Sequence, residues 1–340
     1  MPVATPAFIA ALPKVELHLH LVGSASPTTI LELARRHPDG GVPTDPDELA
    51  KFYAFKDFAH FIEVYAKVAL LVRAPDDITA LILGLAGDAA ASNVRYAEVT
   101  VTALAHLVVG MPAELLCEIL AAARALAKQR FGITLNWIFD IPGPTAGWAD
   151  VTTDFVLRHR PLGTVALGLA GPEGDAPRAG FRAHFARARD AGLHRVVHAG
   201  ETTGPDQIWE AINDLGAERI GHGVSAVTDP KLLDYLRDND IPLEVCPTSN
   251  LCTKAVARIE DHPLPTLLRH GVPVTLSTDD PGMFGTTLNR EYQLAADTFG
   301  LTTEDLTELA RTGIRAAYCD ETLRTDLLTE LDDLTGIYPR

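Results

Sequence analysis

The chain has 340 residues, of which 47% are hydrophobic, and a formal net charge of −16. This acidic balance, with no basic block, argues against nucleic acid and anionic membrane as partners, since both bind clustered Lys and Arg. No run of about 18 apolar residues predicts a membrane span, and residues 1–11 lack the basic start of a signal peptide. The four cysteines form no CxxC pair, so we expect reduced thiols and a cytoplasmic location.

Short runs rich in Val, Ile and Thr alternate with helical patterns along the chain. The predicted strands cover residues 15–21, 94–102, 133–140, 164–169, 195–198, 219–222, 242–246 and 273–277. Predicted helices between them include 113–129, 176–191, 207–215, 231–238 and 264–270. Eight strands in alternation with helices predict an α/β fold, a (β/α)8 barrel of TIM type. The length is compatible with one barrel domain over residues 1–340.

The segment between the first two predicted strands is too long for one crossover helix, so we predict a helical insertion over about residues 24–92. Ser26 followed by Pro27 predicts the start of its first helix. Apolar side chains then recur at spacings of three and four, which is typical of a helix face. That face is either ordinary core or an apolar lid over the barrel mouth. Its members are Phe52, Phe55, Phe58, Phe61, Ile62, Tyr65 and Val68. From Thr302 onward, the pattern predicts helices that close the barrel.

Two histidines, His18 and His20, lie one residue apart in the first predicted strand. Alternate residues of a strand point to the same side, so both imidazoles would face one point, together with Val22. The opposite face carries only leucines, at 17, 19 and 21. A strand with one apolar face and two imidazoles on the other favours a metal site.

Polar residues at or just beyond strand ends support both the barrel and the site, because such barrels carry their chemistry at the carboxyl ends of the strands. These residues are His20, His198, His222, Asp279 and Asp280. Catalytic zinc sites take about three His or carboxylate ligands. His18, His20, His198 and Asp279 supply such a set.

Three further residues are candidates for acid–base chemistry or substrate contact. Glu201 follows His198 by three residues and would lie beside a metal there. His222 stands between two glycines that allow close approach of a ligand, with a structural role as the alternative. Adjacent residues point in different directions, so one of Asp279 and Asp280 can bind metal while the other faces substrate.

Five segments in order resemble the adenosine deaminase family of the amidohydrolase superfamily. They are PKVELHLH at 13–20, HAGE at 198–201, RIGHG at 219–223, CPTSN at 246–250 and STDDP at 277–281. The resemblance implies one Zn²⁺ per subunit, held by His18, His20, His198 and Asp279. It also implies hydrolytic deamination of a small-molecule purine nucleoside, in which hydroxide attacks C6 and ammonia leaves.

The resemblance further implies a role for each remaining site residue. Glu201 would deliver a proton to purine N1, and His222 would orient and help deprotonate the water that the metal binds. Asp280 would contact the N7 edge, and the backbone N–H of Gly171 would meet N3. Phe58 and Phe61 are the expected apolar contacts of the substrate.

The sequence favours one metal over two. Binuclear relatives take a bridging Lys or Glu from the end of the fourth strand, and residues 165–170 offer neither. Glu173 lies further out and is a weak candidate for such a ligand. The H-x-E and P-C-x-x-C signature of the other zinc deaminase class is absent.

The chain departs from the family pattern at two positions. Val22 stands where members acting on adenosine have an Asp that contacts the ribose 5′-hydroxyl, and Thr100 stands where many relatives have Arg. Since valine forms no hydrogen bond, we expect a substrate without a free 5′-hydroxyl. HLVGS at 20–24 resembles the aminodeoxyfutalosine deaminases of menaquinone biosynthesis, whose substrate carries a carboxylated aryl group there. Arg73, Lys67 and His106 are open candidates to pair with that carboxylate.

Several alternatives stay open on the sequence alone. The substrate could be adenosine, 5′-methylthioadenosine or adenine. A different class would be a non-catalytic, metal-containing barrel that binds a nucleoside, and a third would be a general metallohydrolase. His and carboxylate ligands also accept iron, cobalt or manganese. A homo-oligomer is compatible with the sequence, which sets no oligomeric state.

Overall fold

The protein is described here as a computed structural model that covers residues 4–143, 145, 147–174 and 177–337. Eight strands form one sheet in sequence order, and each pairs in parallel with the next. The strands are β1 (Lys14–His20), β2 (Val94–Val101), β3 (Thr134–Ile141), β4 (Thr164–Leu169), β5 (His194–Ala199), β6 (Arg219–His222), β7 (Leu243–Val245) and β8 (Val274–Leu276). Each predicted strand agrees with the observed one to within one residue at either end.

Helices surround the sheet and connect its strands. Before β4 they are α1 (Pro6–Ala11), α2 (Pro27–Arg36), α3 (Pro46–Phe52), α4 (Phe58–Ala69), α5 (Pro75–Ala91), α6 (Ala103–Leu107), α7 (Ala113–Phe131) and α8 (Trp148–His159). After β4 they are α9 (Arg182–Asp190), α10 (Pro205–Leu215), α11 (Pro230–Asp238), α12 (Pro247–Cys252), α13 (Leu264–Arg269), α14 (Pro281–Phe284), α15 (Leu288–Phe299), α16 (Thr303–Ala316) and α17 (Glu321–Ile337). Among the described residues, no helix is both long and apolar enough to cross a bilayer.

The sheet closes where β1 meets the segment that follows β8. Leu19 and Asp279 form a parallel bridge there. The backbone N–H of His20 donates to the Asp279 carbonyl at 2.9 Å, and the Asp279 N–H donates to the His18 carbonyl at 3.0 Å. These contacts make the sheet a nearly closed (β/α)8 barrel, as predicted. They also place three of the predicted site residues at the closure itself.

Two helical predictions need correction. The predicted helix 176–191 begins at Ala176, which lies outside the described residues, and the described part is a 3₁₀ turn at Arg178–Phe181 followed by α9. The aromatic segment is not one helix, because α3 ends at Phe52 and α4 begins at Phe58. Asp57 caps α4 by accepting from the His60 N–H at 2.8 Å, so the chain restarts there.

Helices α2 to α5 all lie between β1 and β2, within the segment for which an insertion was predicted. The predicted start of α2 is confirmed, since Ser26 Oγ accepts from the Thr29 N–H at 3.2 Å and Pro27 occupies the first turn. Phe61, Val64 and Val68 form the buried side of α4. The position of this helix matters for the site, because its first two turns face the carboxyl ends of the strands.

Candidate active site

Four imidazoles surround one buried carboxylate at the carboxyl ends of the strands. His18 and His20 come from β1, His198 from β5 and His222 from β6, while Asp279 follows β8. Asp279 Oδ1 lies 3.3 Å from the Nε2 atoms of both His18 and His20, and its Oδ2 lies 3.9 Å from His222 Nε2. His20 and His198 approach within 3.1 Å through their Nε2 atoms. The structure therefore brings all predicted ligands together.

The orientations of these rings fit a metal ion. His18 Nδ1 contacts Glu244 at 2.9 Å and His198 Nδ1 contacts the Leu169 carbonyl at 3.0 Å. Each of these partners is an acceptor, so Nδ1 carries the proton and the Nε2 lone pair points into the cluster. The buried Nε2 of His18 has no hydrogen-bond partner. A lone pair aimed at other ligands in this way is what a metal would occupy.

Two four-residue ligand sets are compatible with this geometry. Ligand atoms of His18, His198, His222 and Asp279 all lie within 4.8 Å of one another. His20 is nearer to Asp279 than His222 is, whereas His222 also lies 3.6 Å from Glu201 Oε2. Its Nδ1 is held 3.2 Å from Asn250 Nδ2. His222 thus lies between Asp279 of the cluster and the carboxyl group of Glu201. This position is compatible with the acid–base role predicted for His222.

The electrostatics of the cluster also favour a cation. Burial alone lowers the pKa of His18, but the nearby carboxylates of Asp279 and Glu244 raise that pKa to about 10. Burial holds the pKa values of His20 and His222 at about 4. The carboxylates therefore stabilise one positive charge in the cluster, on His18, while His20 and His222 stay neutral. A bound metal ion would supply that charge.

A buried ionic network lies beneath the cluster, inside the barrel. Glu244, which holds His18, accepts from Arg219 Nε at 2.6 Å. Arg219 also pairs with Glu98, which accepts from the Tyr96 hydroxyl at 2.9 Å. Arg219, Glu98 and Glu244 are all less than 2% exposed. Their signal in the sequence is a charged residue within each of three short, largely apolar strands, and our sequence analysis did not use it.

Glu201 is 8% exposed and lines the cavity at the cluster. Its Oε1 accepts from Thr253 Oγ1 at 3.2 Å. Burial, with Asp279 and Glu173 nearby, raises the pKa of Glu201 well above its usual range. The shift favours the protonated form of the carboxyl group, which can donate to an acceptor in the cavity.

Asp280 is the second available carboxyl group. Its Oδ1 is buried without a hydrogen-bond partner, and burial beside Asp279 raises its pKa well above the usual range. Gly23 makes room for it, because a Cβ at that position would lie 1.7 Å from Asp280 Oδ1. The glycine of the HLVGS segment is thus required by the placement of Asp280.

The backbone is strained at two of these residues. His222 and Asp279 have φ angles of 60° and 67°, in the left-handed region that non-glycine residues rarely adopt. Gly171 has a φ of 82°, and a Cβ there would lie 2.9 Å from the Pro142 carbonyl oxygen. Strain of this kind persists where the surrounding structure holds a side chain or backbone N–H in place, and it is typical of functional sites.

The cluster forms one end of a cavity of about 230 Å³. The cavity is also lined by Gly171, Trp148 and four residues of α4, namely Phe58, Phe61, Ile62 and Tyr65. The Gly171 N–H donates to no acceptor among the described residues. All the predicted substrate contacts except Val22 therefore border this cavity.

Val22 does not line the cluster cavity, so the prediction that it shares a strand face with His18 and His20 is wrong. Strand β1 ends at His20, so the alternation that aligns His18 with His20 does not extend to Val22, which lies in the following turn. Val22 instead lines a second, larger cavity of about 680 Å³, together with Thr100. The two cavities adjoin, because both are bordered by Tyr65, Ala66, Thr102, Pro142 and Trp148.

Glu173, considered above as a weak metal-ligand candidate, has a different role. Its carboxylate accepts from the backbone N–H groups of Gly200, Glu201 and Thr202 at 2.7 to 3.1 Å, and from the Thr203 hydroxyl. With both oxygens engaged, Glu173 fixes the loop that carries Glu201. Because Glu173 follows Gly171 by two residues, it also ties the loop after β4 to the loop after β5.

Replacing Glu173 with Ala is expected to lower kcat by about 100-fold, because a shift of about 1 Å in a reacting group costs that much. The measurement is steady-state deamination, with thermal unfolding as a check that the fold is retained. Glu210→Ala is the control, since Glu210 holds one nearby backbone N–H, that of Ala179, at 3.2 Å. A kcat within twofold of wild type for Glu173→Ala would contradict this positioning role.

A barrel that gathers histidines and carboxylates at its strand ends around one point has the architecture of metal-dependent hydrolases. Comparison with known proteins narrows this class. The family model described as "Adenosine deaminase" matches residues 13–334, and the chain belongs to the adenosine deaminase family.

Individual relatives agree with this assignment. The chain is 48% identical over 337 residues to the aminodeoxyfutalosine deaminase of Streptomyces coelicolor. The matched region covers 98% of this chain and 87% of the relative. Adenine deaminase from Arthrobacter aurescens superposes with a TM-score of 0.91 at 30% identity, covering 96% and 99% of the two chains. An amidohydrolase from Burkholderia ambifaria with bound Zn superposes with a TM-score of 0.89 at 27% identity, covering 99% and 96%.

Proposed function

We propose that this protein is a zinc-dependent deaminase of a 6-aminopurine nucleoside, and that its substrate is aminodeoxyfutalosine. Water replaces the 6-amino group, so that futalosine and ammonia are the products, as a step of menaquinone biosynthesis. The observation that carries the substrate assignment is the second cavity, which adjoins the cluster cavity and is lined by Val22 and Thr100.

His18, His20, His198 and Asp279 would hold the zinc ion, and His222 would stay free for proton transfer. The donor set of imidazoles and one carboxylate suits Zn²⁺. When bound, zinc lowers the pKa of a water molecule to about 7, which makes hydroxide available at neutral pH. The unpartnered Nε2 of His18 and the close approach of His20 to His198 support this placement.

The remaining polar groups match the purine ring. Its N1, N3 and N7 atoms are all hydrogen-bond acceptors, so each requires a donor. Protonated Glu201 would donate to N1, the Gly171 N–H to N3, and protonated Asp280 to N7. The raised pKa values of Glu201 and Asp280 favour the protonated forms, in which each carboxyl group can donate a hydrogen bond. Proton transfer from Glu201 to N1 makes C6 more electrophilic, and His222 would accept a proton from the attacking water.

The apolar wall of α4 would cover the base. Phe58 and Phe61 line the same cavity as the cluster, and stacking of a base on such rings excludes water from the reacting atoms. Helices α2 to α5 would then serve as a lid belonging to the same domain as the barrel. The adjoining second cavity would receive the substituent on the 5′ carbon, with Val22 as an apolar contact where a free hydroxyl would need a polar one.

The test is a substrate panel followed by the ultraviolet change from adenine to hypoxanthine. We expect kcat/KM for aminodeoxyfutalosine to exceed that for adenosine by about 10²-fold or more, since a site without a partner for the hydroxyl leaves it unpaired. Adenine and 5′-methylthioadenosine complete the panel. Equal or higher kcat/KM for adenosine would overturn the substrate assignment.

A variant sharpens this test. Val22→Asp is expected to lower kcat/KM for aminodeoxyfutalosine by about tenfold and to reduce the preference over adenosine, because a carboxylate in the second cavity opposes an apolar group. Val22→Thr is the control of matched size without charge, and it should change the preference less. A preference unchanged in Val22→Asp would show that Val22 does not contact the substituent.

A further inference from the structure

The second cavity is apolar over most of its wall, and among the described residues that line either cavity, Arg73 is the single Lys or Arg. We propose that the Arg73 guanidinium binds a carboxylate at the outer end of the substrate's 5′ substituent. This inference rests on the proposed function, and it assigns the residue that selects for an acidic substituent. The recognised chemistry is an aryl or alkyl carboxylate held by a guanidinium.

Arg73 is held in place on both its backbone and its side chain. Its N–H and that of Ala74 donate to the same oxygen of Asp77, at 3.1 and 2.9 Å. Asp77 is 1% exposed and pairs with Arg36 at 2.6 Å, so this anchor is fixed. The Arg73 Nε donates to the Leu70 carbonyl at 3.0 Å, and both residues line the second cavity.

The guanidinium retains capacity for a ligand. Its Nη1 donates to both oxygens of Asp39 at 3.1 Å, and its Nη2 has no hydrogen-bond partner among the described residues. The Asp39 side chain is 72% exposed, and exposed pairs of this kind contribute little stability. A substrate carboxylate arriving through the cavity can therefore take the free Nη2 and replace Asp39 at Nη1.

The other two basic candidates do not fit this role. His106 lines the same cavity but is 4% exposed, and burial lowers its pKa to about 4, so it is neutral at physiological pH. Lys67 is not among the residues that line either cavity, and its ammonium lies 5.7 Å from the ring centroid of Phe52. The apolar rim of Leu70, Val108 and Val109, each at least 59% exposed, leaves Arg73 as the cation at the cavity mouth.

The experiment compares kcat/KM for aminodeoxyfutalosine and for 5′-methylthioadenosine, which lacks a carboxylate, in wild type and Arg73→Gln. Arg73→Gln is expected to lower kcat/KM for aminodeoxyfutalosine by about 10- to 100-fold, mainly through KM, since a charge-assisted pair is lost. For 5′-methylthioadenosine the change should stay within about twofold. Asp39→Asn removes the competing carboxylate and should lower KM for aminodeoxyfutalosine. Arg95→Gln, which breaks the similarly exposed pair with Glu330, is the matched control.

The outcomes separate this inference from the proposed function. If wild type prefers aminodeoxyfutalosine and Arg73→Gln keeps that preference, the Arg73 assignment is overturned while the substrate stands. If wild type shows no preference for aminodeoxyfutalosine, the substrate assignment fails and the Arg73 assignment fails with it. Equal loss on both substrates, with a lower Tm than Arg95→Gln, would make Arg73 a structural residue and overturn its role in binding.

Discussion

Glu201→Gln is expected to lower kcat by about 10³-fold while metal content and substrate binding remain close to wild type. The amide keeps the shape of the side chain and can still accept from Thr253 Oγ1, which now lies 3.2 Å from Oε1. It cannot release a proton to the ring nitrogen. Loss of proton transfer with retained geometry should therefore appear in kcat, not in KM.

The measurement pairs steady-state kinetics with product binding by calorimetry and metal analysis. Thr253→Val is the control, since it removes one hydrogen bond to Glu201 but keeps the acid, and we expect a loss of about tenfold or less. A Glu201→Gln enzyme with more than a tenth of wild-type kcat would eliminate Glu201 as the proton donor. Wild type that binds nucleoside but deaminates no aminopurine would instead favour the non-catalytic barrel.

Removal of the metal is expected to abolish deamination, and His198→Ala should prevent its restoration by added Zn²⁺. The reason is that the His198 Nε2 lone pair is directed into the cluster by the hydrogen bond from Nδ1 to the Leu169 carbonyl. Elemental analysis gives a readout that does not depend on activity. A metal bound at 100 times its Kd stabilises the fold by about 2.7 kcal/mol, so the chelated protein should also melt at a lower temperature.

His184→Ala is the control for this experiment, because His184 lies half-buried on α9 with Thr153 as its partner at 3.2 Å. It should bind metal as wild type does. Elemental analysis also identifies the metal, since the same ligands accept iron, cobalt or manganese. Full activity after exhaustive chelation, with no metal detected, would contradict the proposed site.

Sequence reasoning predicted a set of residues that the structure brings together, because their signals are local. Alternation along β1 aligns His18 with His20, and polar residues at strand ends converge in any barrel of parallel strands. The same reasoning failed for Val22. Strand β1 ends at His20, so the alternation of side chains stops before Val22, and Val22 lines a different cavity. It also failed for the aromatic segment, where Asp57 begins a new helix within an unbroken apolar pattern.

Contacts between distant segments required the tertiary structure. Glu173 is a plausible metal ligand by position in the chain, yet its oxygens are taken by backbone N–H groups 27 to 29 residues later. The link from His18 through Glu244 and Arg219 to Glu98 joins four strands and has no counterpart in sequence spacing.

The sequence by itself determined the fold class, the identity of the histidine and carboxylate cluster, and the expectation of a modified 5′ position. These follow from side-chain periodicity and from which residue types occupy strand ends. Only the tertiary structure separates Arg73, proposed here as the carboxylate-binding residue, from Lys67 and His106, because burial and the direction of a side chain depend on what packs against it. A charge on a helix or loop becomes a binding group only where the fold leaves it facing a cavity.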